Sequence, residues 1–285
     1  MNNFISSLQS LFSPLKKKKF TVVALLGVRN EERYLSICLQ HLYEQGIETI
    51  VIDNESTDKT VEIAESFLNK GVIGIETYPY AGYYDWEGIL RFKSNLAQTI
   101  DADWFIHHDA DEIRQSADPN ENLLEAIQRI DRQGFNAINF REFVFVPEKS
   151  QPDEKFTDYK TQFTKAYFFE PSFPHRVNAW KKQDYPVDLY TYGGHQLNWQ
   201  KMKLAPENLI LRHYPYLSWQ HLVHKYTQQR VYSEQEVQEK GWHGKRAGFD
   251  INAAKQVAQE YLIEPDNDGW LTNKKLTAHP FLGDE

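Results

Sequence analysis

Between Phe20 and Glu112 the chain alternates short apolar, β-branched runs with amphipathic stretches of helix length. Phe20 to Gly27 is nearly all apolar, as in a central parallel strand buried on both faces. Arg29 or Asn30 then opens a helical segment with Tyr34, Leu35, Cys38, Leu39 and Leu42 on one face, ended by Gly46. Ile47 to Ile52 is a second strand, ending at Asp53, and Ser56-Thr57-Asp58 begins a helix with Val61, Ile63, Ala64, Phe67 and Leu68 as its apolar face. A short strand over Val72–Thr77, a Gly/Tyr-rich loop, a helix from Trp86 to Ile100 and a strand from Trp104 to His107 follow. Strands and helices of these lengths, in alternation, predict right-handed βαβ units and a mostly parallel sheet.

After Pro119 the pattern changes. Leu123 to Ile130 reads as a helix, Ala137 to Val146 as a strand, Gln151 to Thr161 as loop and Phe163 to Phe169 as an aromatic strand. Gln220 to Gly241 and Ile251 to Leu262 read as helices. The expected organisation is a basic, amphipathic segment over 1–19, a nucleotide-binding half over 20–115 and an acceptor-binding, mixed α/β half over 116–285, within one continuous domain.

The 285 residues carry 32 basic and 40 acidic side chains, a net charge of −8. That balance argues against nucleic acid as a partner. It leaves room for a small phosphorylated ligand, whose charge a metal and a few local cations can meet. The single cysteine, Cys38, excludes an internal disulfide and fits a cytoplasmic, reducing compartment. Phe4, Ile5, Leu8, Leu11, Phe12 and Leu15 recur at helical spacing ahead of Lys16 to Lys19. An apolar stripe beside a basic cluster can lie in the surface of an anionic membrane. Peripheral contact at the inner face of the membrane through residues 4–19 is therefore an expectation, alongside a packing helix or a solvated leader.

Three predicted parallel strands end in polar clusters: Val28-Arg29-Asn30-Glu31-Glu32, Asp53-Asn54-Glu55-Ser56 and Asp109-Ala110-Asp111-Glu112. In an open α/β sheet the carboxyl ends of the strands share one rim, where ligands bind. Carboxylates buried as closely as Asp109 and Asp111 need a cation, and Mg²⁺ or Mn²⁺ prefer such oxygens. One acidic turn could be ordinary, but three aligned clusters predict a site.

The segments TVVALLGVRNEERYL, IVIDNESTDKTVEIAE and DADWFIHHDADE resemble, in order and spacing, the family 2 glycosyltransferases and their relatives with the GT-A fold. The resemblance covers about Phe20 to Glu112. It implies a three-layer α/β fold and transfer of a sugar from a UDP- or GDP-linked donor to a glycan, lipid-linked or other hydroxyl acceptor, as in polysaccharide biosynthesis. It also implies Mn²⁺ or Mg²⁺ and inversion at the anomeric carbon. In that reading Asp53 accepts a hydrogen bond from the base, and Val28, Arg29, Asn30, Glu31 and Asn54 belong to the same donor pocket. Asp109 faces the ribose or the metal, Asp111 ligates the metal bridging the two phosphates, and Arg91, with Asn95, helps close the pocket. His213, in Leu211-Arg212-His213-Tyr214, is the expected third ligand, ahead of His195 after its glycine pair; His107 and His108 alternate faces, so one of them at most meets the site. Glu142, between aromatic residues, is the first candidate for the general base, followed by Asp184 and Asp188. The family's downstream E-D signature is not recognisable, which leaves the base open and gives weight to an alternative: a non-catalytic sugar-nucleotide or carbohydrate-binding protein with a decayed site. A haloacid-dehalogenase phosphatase would need further lysine and acidic motifs, which the chain lacks. A nucleotidyltransferase would need a glycine-rich phosphate loop after the first strand, and Gly27-Val28-Arg29-Asn30 is not one.

Overall fold

The computed structural model describes residues 19–147, 158–197, 199–265 and 269–283. Nearly all of the N-terminal apolar and basic segment, and most of Gln151 to Thr161, lie outside them. Strand β1 (Val22–Val28) pairs in parallel with β2 (Glu48–Asp53) and with β4 (Trp104–Asp109), and β2 pairs in parallel with β3 (Val72–Thr77). The register sets Val28 beside Asp53 and Gly27 beside Asp109, so the ends of these strands form one edge. Helices α1 (Leu35–Glu44), α2 (Thr60–Ser66) and α3 (Trp86–Thr99) make the crossovers.

The all-apolar sequence of β1 follows from burial on both faces. Val22, Ala24 and Leu26 pack in the core that includes α1, while Val23 and Leu25 pack in a second core that includes α3. Cys38 is a buried free thiol of the first core. Helix α4 (Leu123–Arg132), opened by a capping box between Asn122 and Glu125, joins that same layer.

The second half completes the sheet. Strand β8 (Val177–Lys181) runs antiparallel beside β4, and β6 (Ala137–Phe145) lies beyond it, followed by β7 (Ala166–Phe169) and β10 (Lys275–Leu276). The full order is β10-β7-β6-β8-β4-β1-β2-β3. Strand β5 (Glu112–Gln115), which the alternation pattern does not reveal, pairs antiparallel with β9 (Leu209–His213), and β9 also pairs with β6. Its register places Glu112 opposite His213.

Several boundaries differ from expectation. Helix α1 begins at Leu35 rather than at Arg29 or Asn30, because Asn30 takes a left-handed conformation (φ 54°) that a helix cannot contain. Helix α2 starts at Thr60, whose N–H the Asp58 carboxylate accepts at 2.9 Å. The stretch from Gln220 to Gly241 is not one helix. Helix α5 (Trp219–His224) continues as a π-turn over Lys225–Gln229, then breaks, and a second π-turn spans Glu236–Lys240. The break is imposed by tertiary contacts: Arg230 pairs with Glu31 at 2.9 Å, and the Val231 carbonyl accepts the Tyr84 N–H at 2.7 Å. Ile251 to Leu262 forms turns and one short 3₁₀ segment (Gln259–Tyr261) instead of a helix. There Ala254 and Val257 are drawn into a third core with Tyr216, Trp219 and Phe281, and the Lys255 N–H bonds Pro280. Among the described residues, no helix is long and apolar enough to cross a membrane.

Candidate active site

A cleft opens where β1, β2 and β4 end, roofed by the segment from Lys225 to Arg246. Val28, Arg29, Glu31, Asn54, Asp109, Asp111 and His213 all line it. Asn30 and Asp53 stand just behind. Asn30 accepts the Thr57 N–H at 2.7 Å, and Asp53 accepts the Ser56 N–H with both oxygens at 3.2 and 3.1 Å, so each fastens the turn after β2. Asn54 donates to the Tyr78 carbonyl at 2.9 Å, which leaves its buried Oδ1 without a hydrogen-bond partner. Such an orphaned acceptor costs on the order of 1–3 kcal/mol unless a ligand meets it. Arg29 donates to the carbonyls of Asn54 and Glu55 and stacks on Tyr80, 3.3 Å from its ring centre.

Asp111 is the electrostatic centre of the floor. Lys225 Nζ donates to its Oδ2 at 2.8 Å, and His213 Nε2 stands 3.8 Å from that same oxygen. Burial opposes ionisation of Asp111, yet Lys225 and His213 outweigh it and hold the carboxyl well below its ordinary range. The other nitrogen of His213 is 2.6 Å from Glu142. Burial works against a charge on His213 as well, but the two carboxylates carry its pKa up to about 9.

An imidazole anchored by a carboxylate through Nδ1, with Nε2 turned toward an aspartate, is the arrangement of a metal-ligating histidine and its supporting carboxylate. Among the described residues no group of three or more histidine, cysteine, aspartate or glutamate side chains is placed to hold a metal ion. Magnesium is commonly held by one or two carboxylates together with substrate phosphates. The donor set therefore fits a divalent ion shared with a phosphorylated ligand, and does not fit an all-protein cage.

Glu142 does not occupy the place expected of a base. Its side chain has no solvent exposure, and its oxygens are taken by Arg176 (2.7 and 2.9 Å), His213 (2.6 Å) and His175 (3.2 Å). Burial would raise its pKa; Arg176, His175 and His213 instead press it well below the carboxylate range. A carboxylate so stabilised has little drive to take a proton. Arg176 also donates to Nδ1 of His195 at 2.7 Å. A guanidinium can only donate, so the neutral His195 carries its proton on Nε2.

Arg91 lies outside the cleft. It pairs with Glu87 at 2.7 Å on the exposed face of α3 and stacks on Tyr190 at 3.5 Å. Arg91→Ala is accordingly expected to leave nucleotide affinity unchanged within about twofold, as for other exposed ion pairs; titration calorimetry checks this.

One feature of the floor was not expected. Lys93, on the apolar face of α3 and fully buried, sets Nζ 3.0 Å from His107 Nδ1, 3.1 Å from the His108 carbonyl and 3.7 Å from Asp109. Burial lowers its pKa to about 8, with Asp109 and Glu112 opposing. Gly27 leaves room for this ammonium, since a β-carbon there would stand 3.2 Å from Nζ. The only sequence sign of Lys93 is a lysine at helical spacing with Ile89, Leu90 and Ala97. Of the two adjoining histidines, His107 lines the cleft and His108 turns into the core, as strand alternation requires. Gly194 (φ 80°) passes so close to His107 that a β-carbon would sit 2.9 Å from its Nε2.

The chain is similar to several known proteins. Over 95 residues the chain is 30% identical to the lipopolysaccharide core biosynthesis glycosyltransferase LpsC of Rhizobium meliloti, covering 33% of each sequence. Over 101 residues it is 36% identical to an uncharacterized glycosyltransferase of Rickettsia bellii, covering 35% of this chain and 30% of the relative. The chain thus spans about a third of the length of the curated relatives it matches. Among solved structures, S. aureus TarS in complex with UDP superposes with a TM-score of 0.46 at 14% identity, covering 69% of this chain and 61% of TarS. The family model described as glycosyl transferase family 2 matches residues 25–185, more than half of the sequence, and the chain belongs to that family.

Proposed function

We propose that this chain is a metal-dependent glycosyltransferase that moves a sugar from a UDP- or GDP-linked donor to a hydroxyl group of a glycan, a lipid-linked sugar or another acceptor. The observation that carries the reading is the convergence of the β1, β2 and β4 ends on one cleft, with Asp111 facing His213 across it. In this reading Asn54 offers its unpaired Oδ1 to a donor on the base, such as the imide N–H of uracil, and Arg29 closes that end by its stacking on Tyr80. Asp53 holds the turn that presents Asn54. Mn²⁺ or Mg²⁺, held by Asp111 and His213 with Asp109 beside them, would supply Lewis-acid stabilisation of the departing diphosphate. Lys225 adds a further positive charge at the same oxygen of Asp111. Glu142 serves as a positioning residue that fixes the orientation of His213 and Arg176, so a base for an inverting transfer must come from another group. Residues 20–115 and 116–285 act as donor and acceptor halves of one unit, an assignment supported by β8 of the second half lying directly beside β4.

The test is a thermal-shift screen of UDP, GDP, CMP and dTDP with Mn²⁺, Mg²⁺ or EDTA, followed by donor hydrolysis with the winning base. A ligand at a hundred times its Kd adds about 2.7 kcal/mol of stability. One nucleotide, stabilising only with metal and losing its advantage in Asn54→Ala, is the expected result. No shift with any nucleotide would remove the reading. Binding without hydrolysis or transfer would favour the non-catalytic alternative.

A further inference from the structure

The cleft holds more positive charge than its own carboxylates and a donor diphosphate with a divalent ion would consume. Lys225 is matched by Asp111, Arg230 by Glu31 at 2.9 Å, and Arg176 by Glu142. Arg29 is engaged by two backbone carbonyls and Tyr80. Arg246 also lines the cleft, and its neighbours are the Tyr226 and Tyr232 phenols and Arg230, with no carboxylate pairing with it among the described residues. The field it adds is felt around it. Burial alone would raise the Tyr226 pKa, yet Arg246, Lys225 and Arg230 bring it below the ordinary tyrosine value. His243, beside Arg246, is held neutral, first by burial and then by Arg246 and Arg230.

The position of this surplus charge also matters. Base-side residues Asn54 and Arg29 stand at the β2 and β1 ends, whereas β8, which begins just after Arg176, lies on the opposite side of β4. The segment bearing Arg246 bridges from the loop before α3 to the Gly193–Gly194 turn that precedes His195. His243 lies 6.2 Å from Trp86 and 5.6 Å from Tyr84, ring centre to ring centre, and the Trp242 ring meets Gly193. His243 is held there with φ 59°, a conformation costly for a residue with a β-carbon. We infer that the acceptor is anionic, bearing a carboxylate or phosphate near the hydroxyl that receives the sugar, and that Arg246 is the residue that selects it. This inference rests on the transferase reading and adds its acceptor class.

The experiment uses the full chain saturated with UDP and Mn²⁺, titrated in a calorimeter with methyl glucoside, methyl glucuronoside and glucose 6-phosphate. The expected result is that one or both anionic sugars bind at least about tenfold more tightly than the neutral one, a difference of about 1.4 kcal/mol. Arg246→Gln should abolish that preference and Arg246→Lys should keep part of it, with UDP affinity unchanged in both. The relative strength of the carboxylate and the phosphate tells the two sources of charge apart. Equal binding of charged and neutral sugars would overturn the inference while leaving the transferase reading intact. A loss of UDP affinity in Arg246→Gln would also overturn it, by assigning Arg246 to the donor. Absence of metal-dependent UDP binding in the wild-type chain, with GDP equally inert, would remove the transferase reading and this inference together.

Discussion

Asp111→Asn is expected to lower turnover by on the order of 10³ while the protein stays folded. The substitution keeps the shape of the side chain but removes the charge that Lys225 and His213 both face. A metal acting as Lewis acid on a leaving group contributes several kcal/mol, and each 1.36 kcal/mol is tenfold in rate. Donor hydrolysis at saturating Mn²⁺ measures the loss. Asp111→Ala should be worse for stability, because it leaves the buried ammonium of Lys225 without its carboxylate. A variant retaining more than a tenth of wild-type turnover would mean that Asp111 is a structural partner of Lys225 and nothing more.

The second large effect concerns Glu142. Glu142→Ala strands Arg176 and the charged His213 in the interior, and breaking a buried pair in this way costs about 3–5 kcal/mol. Glu142→Gln is milder and more informative. If Glu142 positions His213, metal affinity should fall about 10–100-fold, as for other groups supporting a metal ligand. A catalytic base would instead lose turnover with metal affinity unchanged. The same network sets a pH dependence of stability. The pKa of His213 is raised in the folded protein, so its contribution is fully present below about pH 6.5 and is lost as pH rises through about 9. Glu142 and Asp111 have depressed pKa values, so their contributions are present above about pH 4.5 and vanish as pH falls through their lower folded values. Metal-free protein should therefore lose stability steadily between about pH 6.5 and 9 in denaturant melts. In Glu142→Gln that slope should flatten, because the imidazole has lost one of its two carboxylates.

The rim where β1, β2 and β4 end was legible in the sequence because its signals are local. A strand buried on both faces has to be apolar throughout, and β1 is; a strand that ends in the sheet rim has to release polar groups there, and Asp53, Asn54, Asp109 and Asp111 mark those ends. The histidine opposite Asp111 was also reachable, although the reason it arrives there, the β5–β9 register, was not. Glu142 read as an isolated carboxylate among aromatic residues. Its saturation by Arg176, 34 residues further on, is a long-range fact that no spacing encodes. Gln220 to Gly241 has a continuous helical pattern, and only its docking on Glu31 and Tyr84 breaks it. Ile251 to Leu262 likewise yields its helical preference to core contacts at Ala254 and Val257. Arg176, Arg230, His243 and Arg246 share that character, since each gains meaning only when the second half folds over the first.

The most direct test of the account is titration of UDP and GDP into the full chain with Mn²⁺ and, separately, with EDTA, for the wild type and Asp111→Asn. Binding of one nucleotide that requires Mn²⁺ in the wild type and disappears in Asp111→Asn is the predicted result. Equal affinity in Mn²⁺ and EDTA, unaltered by the substitution, would contradict it.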